Sequence, residues 1–227
     1  MRIPALLTGD IRFQYKYGFY FLYLIFSVFY IGLLYALPSA WREKAAVLMI
    51  FSDPAAMGLY FMGAIVLFEK GERVLNSIAI SPVRPMEYVI AKLVSIAIIS
   101  ALVGLLIGMG ANVIGSPVLF TLGVFLGSCL FSAIGLMVAA NIASLNQFVV
   151  ATIPAELLIN LPAVAWLFGW KPGFMILHPG VCIIEICQNG TRAVPALFIL
   201  AVWTAAAAIF TGHVIKNSLR SLGGVKL

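Results

Sequence analysis

Charged residues are scarce in this chain of 227 residues. Lys and Arg number 14 and Asp and Glu number 8, so that 10% of the sequence is charged, whereas soluble domains have about 25%. Hydrophobic residues make up 63% of the sequence, and the mean hydropathy is +1.10. So few charges cannot cover a water-soluble globule, and the apolar excess must face lipid. The composition therefore excludes a water-soluble protein and predicts a membrane-embedded one.

Sequence motifs for catalysis and metal binding are also absent. There is no G-x-x-x-x-G-K-[ST] phosphate loop, so energy for any work must come from another chain or from an ion gradient. There is no H-E-x-x-H, G-x-S-x-G or C-x-x-C pattern, which disfavours an intramembrane enzyme. We expect no catalytic residue, no metal site and no cofactor bound directly to this chain.

Six apolar runs are each long enough, at about 20 residues, to cross a bilayer as a helix. They are 19–37, 45–68, 88–113, 117–140, 148–169 and 194–215. The connections between them leave no room for a separate soluble domain. The predicted fold class is all-α, with one polytopic membrane domain over 1–227 and six transmembrane helices.

The basic residues are distributed unevenly over the connections. Ten of the 14 lie in the N-terminal segment, in the connection between the second and third runs with its flank, and in the tail with Lys216, Arg220 and Lys226. The other four are Arg42, Lys44, Lys171 and Arg192. The positive-inside rule then places both termini in the cytoplasm and explains the net charge of +6 without a nucleic-acid partner.

Proline interrupts the second run. Ser52-Asp53-Pro54 reads as a helix N-cap followed by proline at the first helical position. Either a helix restarts at Pro54 after a re-entrant piece over 45–51, or one long helix is kinked there.

The fifth run and the segment after it are also irregular. Pro154 and Pro162 are predicted to break the fifth run. The segment 170–193 is too apolar for an ordinary loop, and we expect it to dip into the outer leaflet. It contains Cys182 and Cys187, for which a disulfide and two free thiols are both compatible with the spacing.

The cytoplasmic connection over 69–82 has the pattern of a short amphipathic helix. Charged residues come first, Val74 and Ile78 are four residues apart with Leu75 beside them, and Ser81-Pro82 ends the helix. One interpretation is an interfacial helix in a solvated loop. The other is that the apolar stripe docks into a partner protein.

The order Glu69, Leu75, Ser81-Pro82 and Lys92 resembles the coupling-helix region of type-2 ABC exporter permeases, and in particular bacterial drug-export permeases of the fluoroquinolone-export kind. The resemblance implies half of a dimeric permease in a bacterial cell membrane. It also implies a separate cytoplasmic ATPase, which binds ATP and Mg and receives the coupling helix in a cleft. Arg73-Val74 stand where that family often has Gly-Thr. The residues that would couple to the ATPase are Glu69, Glu72, Arg73, Val74, Leu75, Ile78, Ser81 and Pro82.

The N-terminal segment 1–18 fits two periodicities. Its apolar residues alternate as in a strand, but Leu7, Ile11 and Tyr15 also share one helical face, while Arg12 and Lys16 share another. A lone strand at a membrane has no partner for its hydrogen bonds, so we predict an interfacial helix with its basic groups on lipid headgroups. The resembled family also begins with such a connecting helix.

Two acidic residues fall at membrane depth, where an unpaired carboxylate costs a few kcal/mol. Asp53 either caps the helix at Pro54 or lines a translocation path. Glu156 either lines that path, satisfies backbone groups freed by proline, or bonds Asn160. With the aromatic residues Phe26, Phe29 and Tyr30, these acids form the predicted path for an amphipathic small molecule, drug or peptide.

Two other classes of function stay open at this point. An ion-gradient-driven secondary transporter or channel would predict inverted repeats and several intramembrane ionisable residues, and the sequence shows no clear repeat and one or two such residues. A membrane assembly or anchoring protein without transport would predict that Glu156→Gln has no effect.

Overall fold

The computed structural model describes residues 2–222, and the predicted tail residue Lys226 lies outside them. The described chain is helical. Its elements are α1 (Arg2–Lys16), α2 (Phe19–Ala36), α3 (Ser39–Ser52), a π-helical segment (Asp53–Gly58), α4 (Leu59–Gly71), α5 (Val74–Ala79), α6 (Pro85–Ala111), α7 (Pro117–Ala140), α8 (Leu145–Leu167), a 3-10 segment (Gly173–Leu177), α9 (Pro179–Cys187) and α10 (Ala193–Leu222).

Five of these helices are long and apolar enough to cross a membrane: α2, α6, α7, α8 and α10. The apolar run 45–68 lies within α3, the π-helical segment and α4, which follow one another directly. The all-helical membrane fold is therefore confirmed with five such helices in the described part of the chain.

The structure has no helix restart at Pro54. Asp53 has helical backbone angles, φ −63° and ψ −54°, so it does not have the extended conformation of an N-cap. The chain instead continues from α3 into α4 through a π-helical turn over Asp53–Gly58, which is wider than an α-helical turn. The predicted break in the fifth run is wrong, because α8 continues through Pro154 and Pro162.

Helices α6 and α7 form the centre of the bundle. In the most apolar 18-residue stretch of each of these two helices, 67% of the residues are buried. In the corresponding stretches of α2, α8 and α10, 22% are buried. Helix α7 packs against α4, α6 and α10. The three peripheral helices therefore leave most of their apolar surface for lipid or for another protein chain.

Helix α9 packs into the bundle beside α7. Gly123 and Gly127 leave space there for Ile186 and Ile183, where any larger side chain would overlap them. Every residue of α9 is buried, and Cys182 and Cys187 are both free thiols. Five residues along an α-helix correspond to about 140° of rotation, so the two thiols point to different faces and form no disulfide.

The connection after α4 has a different shape from the predicted helix over 69–82. Helix α4 continues through Glu69 to Gly71, the chain turns at Arg73 with a left-handed φ of 58°, and α5 has six residues. Helix α5 contacts α4 and α10. We call this end of the bundle the basic end. Its basic residues include Arg12, Lys16, Lys70, Arg73, Arg84, Lys92, Lys216 and Arg220.

Candidate functional site

A buried ionic network joins three helices at the basic end. The Lys92 ammonium of α6 lies between two carboxylates, those of Asp10 in α1 and Glu69 in α4, with 2.5 Å between its Nζ and Glu69 Oε1. The three residues are at most 6% exposed. With one ammonium for two carboxylates, the network is held together by a single cation.

Neutral side chains complete this network. The Tyr88 hydroxyl donates to Glu69 Oε2 at 2.7 Å, and the Gln14 amide donates to Asp10 Oδ2 and to Ser95 Oγ, both at 2.9 Å. Ser95 in turn donates to Asp10. These bonds fix α1 against α6 by its polar face, while Arg12 and Lys16 on its other side are exposed.

Asp10 is a residue of this site that the sequence analysis missed. Glu69 was predicted to contact an ATPase, and Lys92 was part of the family pattern, but the structure brings the two together as an ion pair inside the protein. The available signal was the spacing of Asp10 and Gln14, which are four residues apart on the face of α1 opposite its basic residues.

The predicted coupling residues divide into buried and exposed groups. Leu75 is 4% exposed and packs in the core, and Val74 and Ile78 are partly buried. Glu72 and Arg73 are exposed, and Glu72 accepts a hydrogen bond from Tyr17. The apolar stripe of α5 is therefore turned largely toward its own bundle.

The end of α5 carries an apolar residue that the sequence analysis did not select. Ile80 is 85% exposed, immediately before the turn at Ser81-Pro82. Ser81 is held to α5 by its hydroxyl, which donates to the Ile78 carbonyl at 2.7 Å. An exposed isoleucine on a fixed turn is suited to a protein contact.

A shallow groove of about 280 Å³ lies between α1 and α5. Leu6 and Phe13 of α1 line one side, Val74 and Ile78 of α5 line another, and the ionic network with Lys92 forms part of its wall. The predicted connecting helix (α1) and the predicted coupling helix (α5) therefore line the same groove.

Lys70 ties the α4–α5 connection to the next loop of the basic end. Its ammonium donates to the carbonyls of Ala139, Ala140 and Ile142 at 2.7, 2.7 and 2.9 Å. These carbonyls lie at the C-terminus of α7, where the helix dipole favours a cation. Lys70 thereby joins the α4–α5 connection to the loop after α7.

Asp53 is the most deeply buried acid of the predicted path. It is 0% exposed, and neither carboxylate oxygen has a hydrogen-bond partner among the described residues. Ser128 of α7 is also buried, without a partner for its hydroxyl in the described chain, and it lies against Gly58 of the same π-helical segment. Asp53 thus lies inside the bundle and has no contact with solvent or lipid.

The other residues of the predicted path lie on α2 and α8. Glu156 accepts a hydrogen bond from the Tyr60 hydroxyl of α4 at 3.0 Å through Oε2, and its Oε1 has no hydrogen-bond partner in the described chain. The alternative in which Glu156 bonds Asn160 is therefore wrong. Phe29 is 60% exposed on α2, its ring contacts that of Tyr30 at 6.1 Å between centroids, and Phe26 also contacts Tyr30.

Comparisons with known proteins identify the family of this chain. A family profile described as the fluoroquinolones export permease protein family matches residues 1–218. Two curated proteins, both named fluoroquinolones export permease protein, come from Mycobacterium tuberculosis strains CDC 1551 / Oshkosh and ATCC 25618 / H37Rv. Each is 27% identical over 230 residues, covering 86% of this chain and 94% of the relative. Since the profile spans nearly the whole sequence, the chain belongs to the fluoroquinolones export permease protein family.

Proposed function

We propose that the chain is the transmembrane permease subunit of an ATP-driven ABC exporter, working with a separate cytoplasmic ATPase that binds ATP and Mg. The observation that carries the proposal is the fixed, exposed turn at Ile80 beside the groove of α1 and α5, in a chain of an export permease family. The exported molecule is an amphipathic small molecule, with fluoroquinolones as the first class to test because relatives carry that name.

The proposed topology has six spans with both termini in the cytoplasm of a bacterial cell membrane. The second span is the combined helical run from Ser39 to Gly71, which at about 1.5 Å per residue is longer than a bilayer core of about 30 Å. The basic end then faces the cytoplasm, in line with the positive-inside rule. The segment 170–193 lies at the outer leaflet.

The complete transporter contains two permease chains, either two copies or this chain and a paralogue. Helix α2 supports a dimer because it exposes Phe21, Leu24, Val28 and Phe29 along one side. The substrate path would lie between the two chains, bordered by Phe26, Phe29 and Tyr30 of α2 and by Glu156 of α8.

In this proposal α5 and its flanking turn receive the movement of the ATPase. Helix α1, α4 and α6 are tied together by the network of Asp10, Glu69 and Lys92, and Lys70 ties the connection to the end of α7. A push at Ile80 would therefore move several spans as one body.

One observation supports a second candidate, an ion-gradient-driven transporter. Asp53 is a buried carboxylate without a hydrogen-bond partner among the described residues, and ionisable groups at such depth often mark ion pathways. An anchoring protein without transport has no comparable support.

The proposal is tested by co-expression with candidate ABC ATPase subunits of the same genome, followed by purification on the permease. We expect a stable complex with ATPase activity, and we expect Ile80→Glu to remove both. Substituting Leu75 would be less informative because its side chain is buried. Phe174→Glu is the matched control, since Phe174 is 71% exposed on the outer 3-10 segment. A complex that keeps its activity with Ile80→Glu contradicts this docking site.

A further inference from the structure

A second cavity lies at the end of the bundle opposite the basic end. It has a volume of about 660 Å³ and lies between the start of α3, the end of α8, the 3-10 segment, α9 and the residues before α10. Its lining includes Glu43, Trp166, Lys171, Glu185, Thr191 and Arg192. Cavities that hold small molecules measure about 300–1,000 Å³, so the size fits a ligand. We call it the outer cavity.

Glu185 gives the outer cavity a fixed negative group. It is 5% exposed, and its carboxylate accepts from the Trp166 indole N–H at 3.1 Å and from the Arg192 backbone N–H at 3.3 Å. Both donors are neutral. The described residues provide Glu185 with no ion pair, so its charge is oriented but not neutralised.

Positive groups line the same cavity without pairing with the acids. Lys171 and Arg192 are exposed, and the Lys171 ammonium lies 5.5 Å from the centre of the Trp166 ring. In the described chain neither forms a salt bridge with Glu43 or Glu185. Opposite charges that border one cavity at more than salt-bridge distance leave space for a ligand that carries both.

We infer that the outer cavity binds a zwitterion, with its ammonium at Glu185 and its carboxylate at Lys171 or Arg192. A metal ion fits less well, since the described residues contain no group of three His, Cys, Asp or Glu side chains that could ligate one. This inference rests on the proposed export function, in which the cavity receives the molecule as it leaves the membrane.

The position of Glu185 depends on a close contact with Gly190. A Cβ atom at residue 190 would overlap the Glu185 carboxylate, so Gly190→Ala displaces this group without altering any charge. The substitution therefore tests whether binding requires the Glu185 carboxylate at this position, because the carboxylate itself is retained.

The test is equilibrium binding to the purified full chain in lipid nanodiscs, without an ATPase. The probes are ciprofloxacin, which carries an ammonium and a carboxylate, its N-acetyl analogue without the ammonium, and its methyl ester without the carboxylate. Glu185→Gln is expected to weaken ciprofloxacin binding by at least about tenfold while changing N-acetyl binding less than about twofold. Gly190→Ala is expected to have the same pattern.

The complementary variant is Lys171→Gln with Arg192→Gln. These side chains are exposed, so we expect their replacement to keep the fold. This variant therefore tests the inference even if Glu185→Gln does not fold. We expect weaker binding of ciprofloxacin and unchanged binding of the methyl ester. Glu87→Gln, an acid of the basic end that accepts from the Arg84 backbone, is the matched control and is expected to leave all three affinities unchanged.

The inference would be overturned if Glu185→Gln lowered the affinity for all three probes equally. It would also be overturned if the variant with Lys171→Gln and Arg192→Gln bound ciprofloxacin with unchanged affinity. Equal losses would mean that Glu185 is a structural group. Because no ATPase is present, these results leave the exporter proposal untouched, and failure of ATP-driven transport with intact zwitterion selectivity would refute that proposal instead.

Discussion

Replacing Lys92 by methionine removes the single cation of the network that joins α1, α4 and α6. Methionine retains most of the side-chain volume, so the main change is electrostatic. The carboxylates of Asp10 and Glu69 then lie close together, buried, without an opposite charge. Breaking one buried ion pair by removing one partner costs about 3–5 kcal/mol, and here two carboxylates lose their partner.

We expect this cost to appear as local detachment of α1, because α1 is held to the bundle mainly through Asp10, Gln14 and the apolar residues of one face. A cost of about 3–5 kcal/mol raises the opening constant of α1 by roughly two to four orders of magnitude. Hydrogen exchange of the α1 amides, measured by mass spectrometry in nanodiscs, reads this change directly.

The matched control replaces all three charges, with Asp10→Asn, Glu69→Gln and Lys92→Met in one chain. This triple variant has no uncompensated charge and keeps most of the hydrogen-bonding atoms, so its α1 exchange should return close to the original rate. If Lys92→Met alone accelerates α1 exchange by less than about tenfold, the reasoning from the buried network is refuted.

Two further substitutions and one thiol-labelling measurement test other parts of the account. Lys70→Met removes three hydrogen bonds at the C-terminus of α7 and should lower stability by about 2–3 kcal/mol in reversible unfolding, with Lys70→Arg less affected; equal stability would contradict it. Gly63→Ala should destabilise by about 1–3 kcal/mol because its methyl overlaps Phe148, and Phe148→Leu in the same chain should restore much of the loss; no rescue would contradict the contact. Cys182 and Cys187 should both react with a thiol reagent after denaturation without reductant, and unreactive thiols would indicate a disulfide.

The sequence predicts the membrane class and most of the helices well, since five of the six apolar runs correspond to long apolar helices. Within α8, local proline rules predicted an interruption that the structure does not have, and near Pro54 they left open a helix restart that the structure does not have. The membrane explains the difference, because lipid offers no water to bond with backbone groups that a helix break would free, so the chain keeps its helical hydrogen bonds. The surroundings therefore override the local signal at these positions.

The candidate site was less predictable than the fold. Glu69 and Lys92 were singled out by their order along the chain, yet their pairing, and its third member Asp10, depend on how three helices pack. Leu75 looked like part of a docking stripe, but a six-residue helix turns it inward and leaves Ile80 exposed. Glu185 was not selected because nothing along the chain showed that it would line a cavity with Lys171 and Arg192.

The central claim is most directly tested by transport in reconstituted vesicles that contain the permease with its ATPase partner. In inside-out vesicles with ion gradients abolished by ionophores, the exporter proposal predicts ATP-dependent accumulation of a fluoroquinolone. It also predicts none without the ATPase or with the Ile80→Glu permease. Accumulation by the permease alone, driven by an imposed ion gradient and independent of ATP, would contradict it.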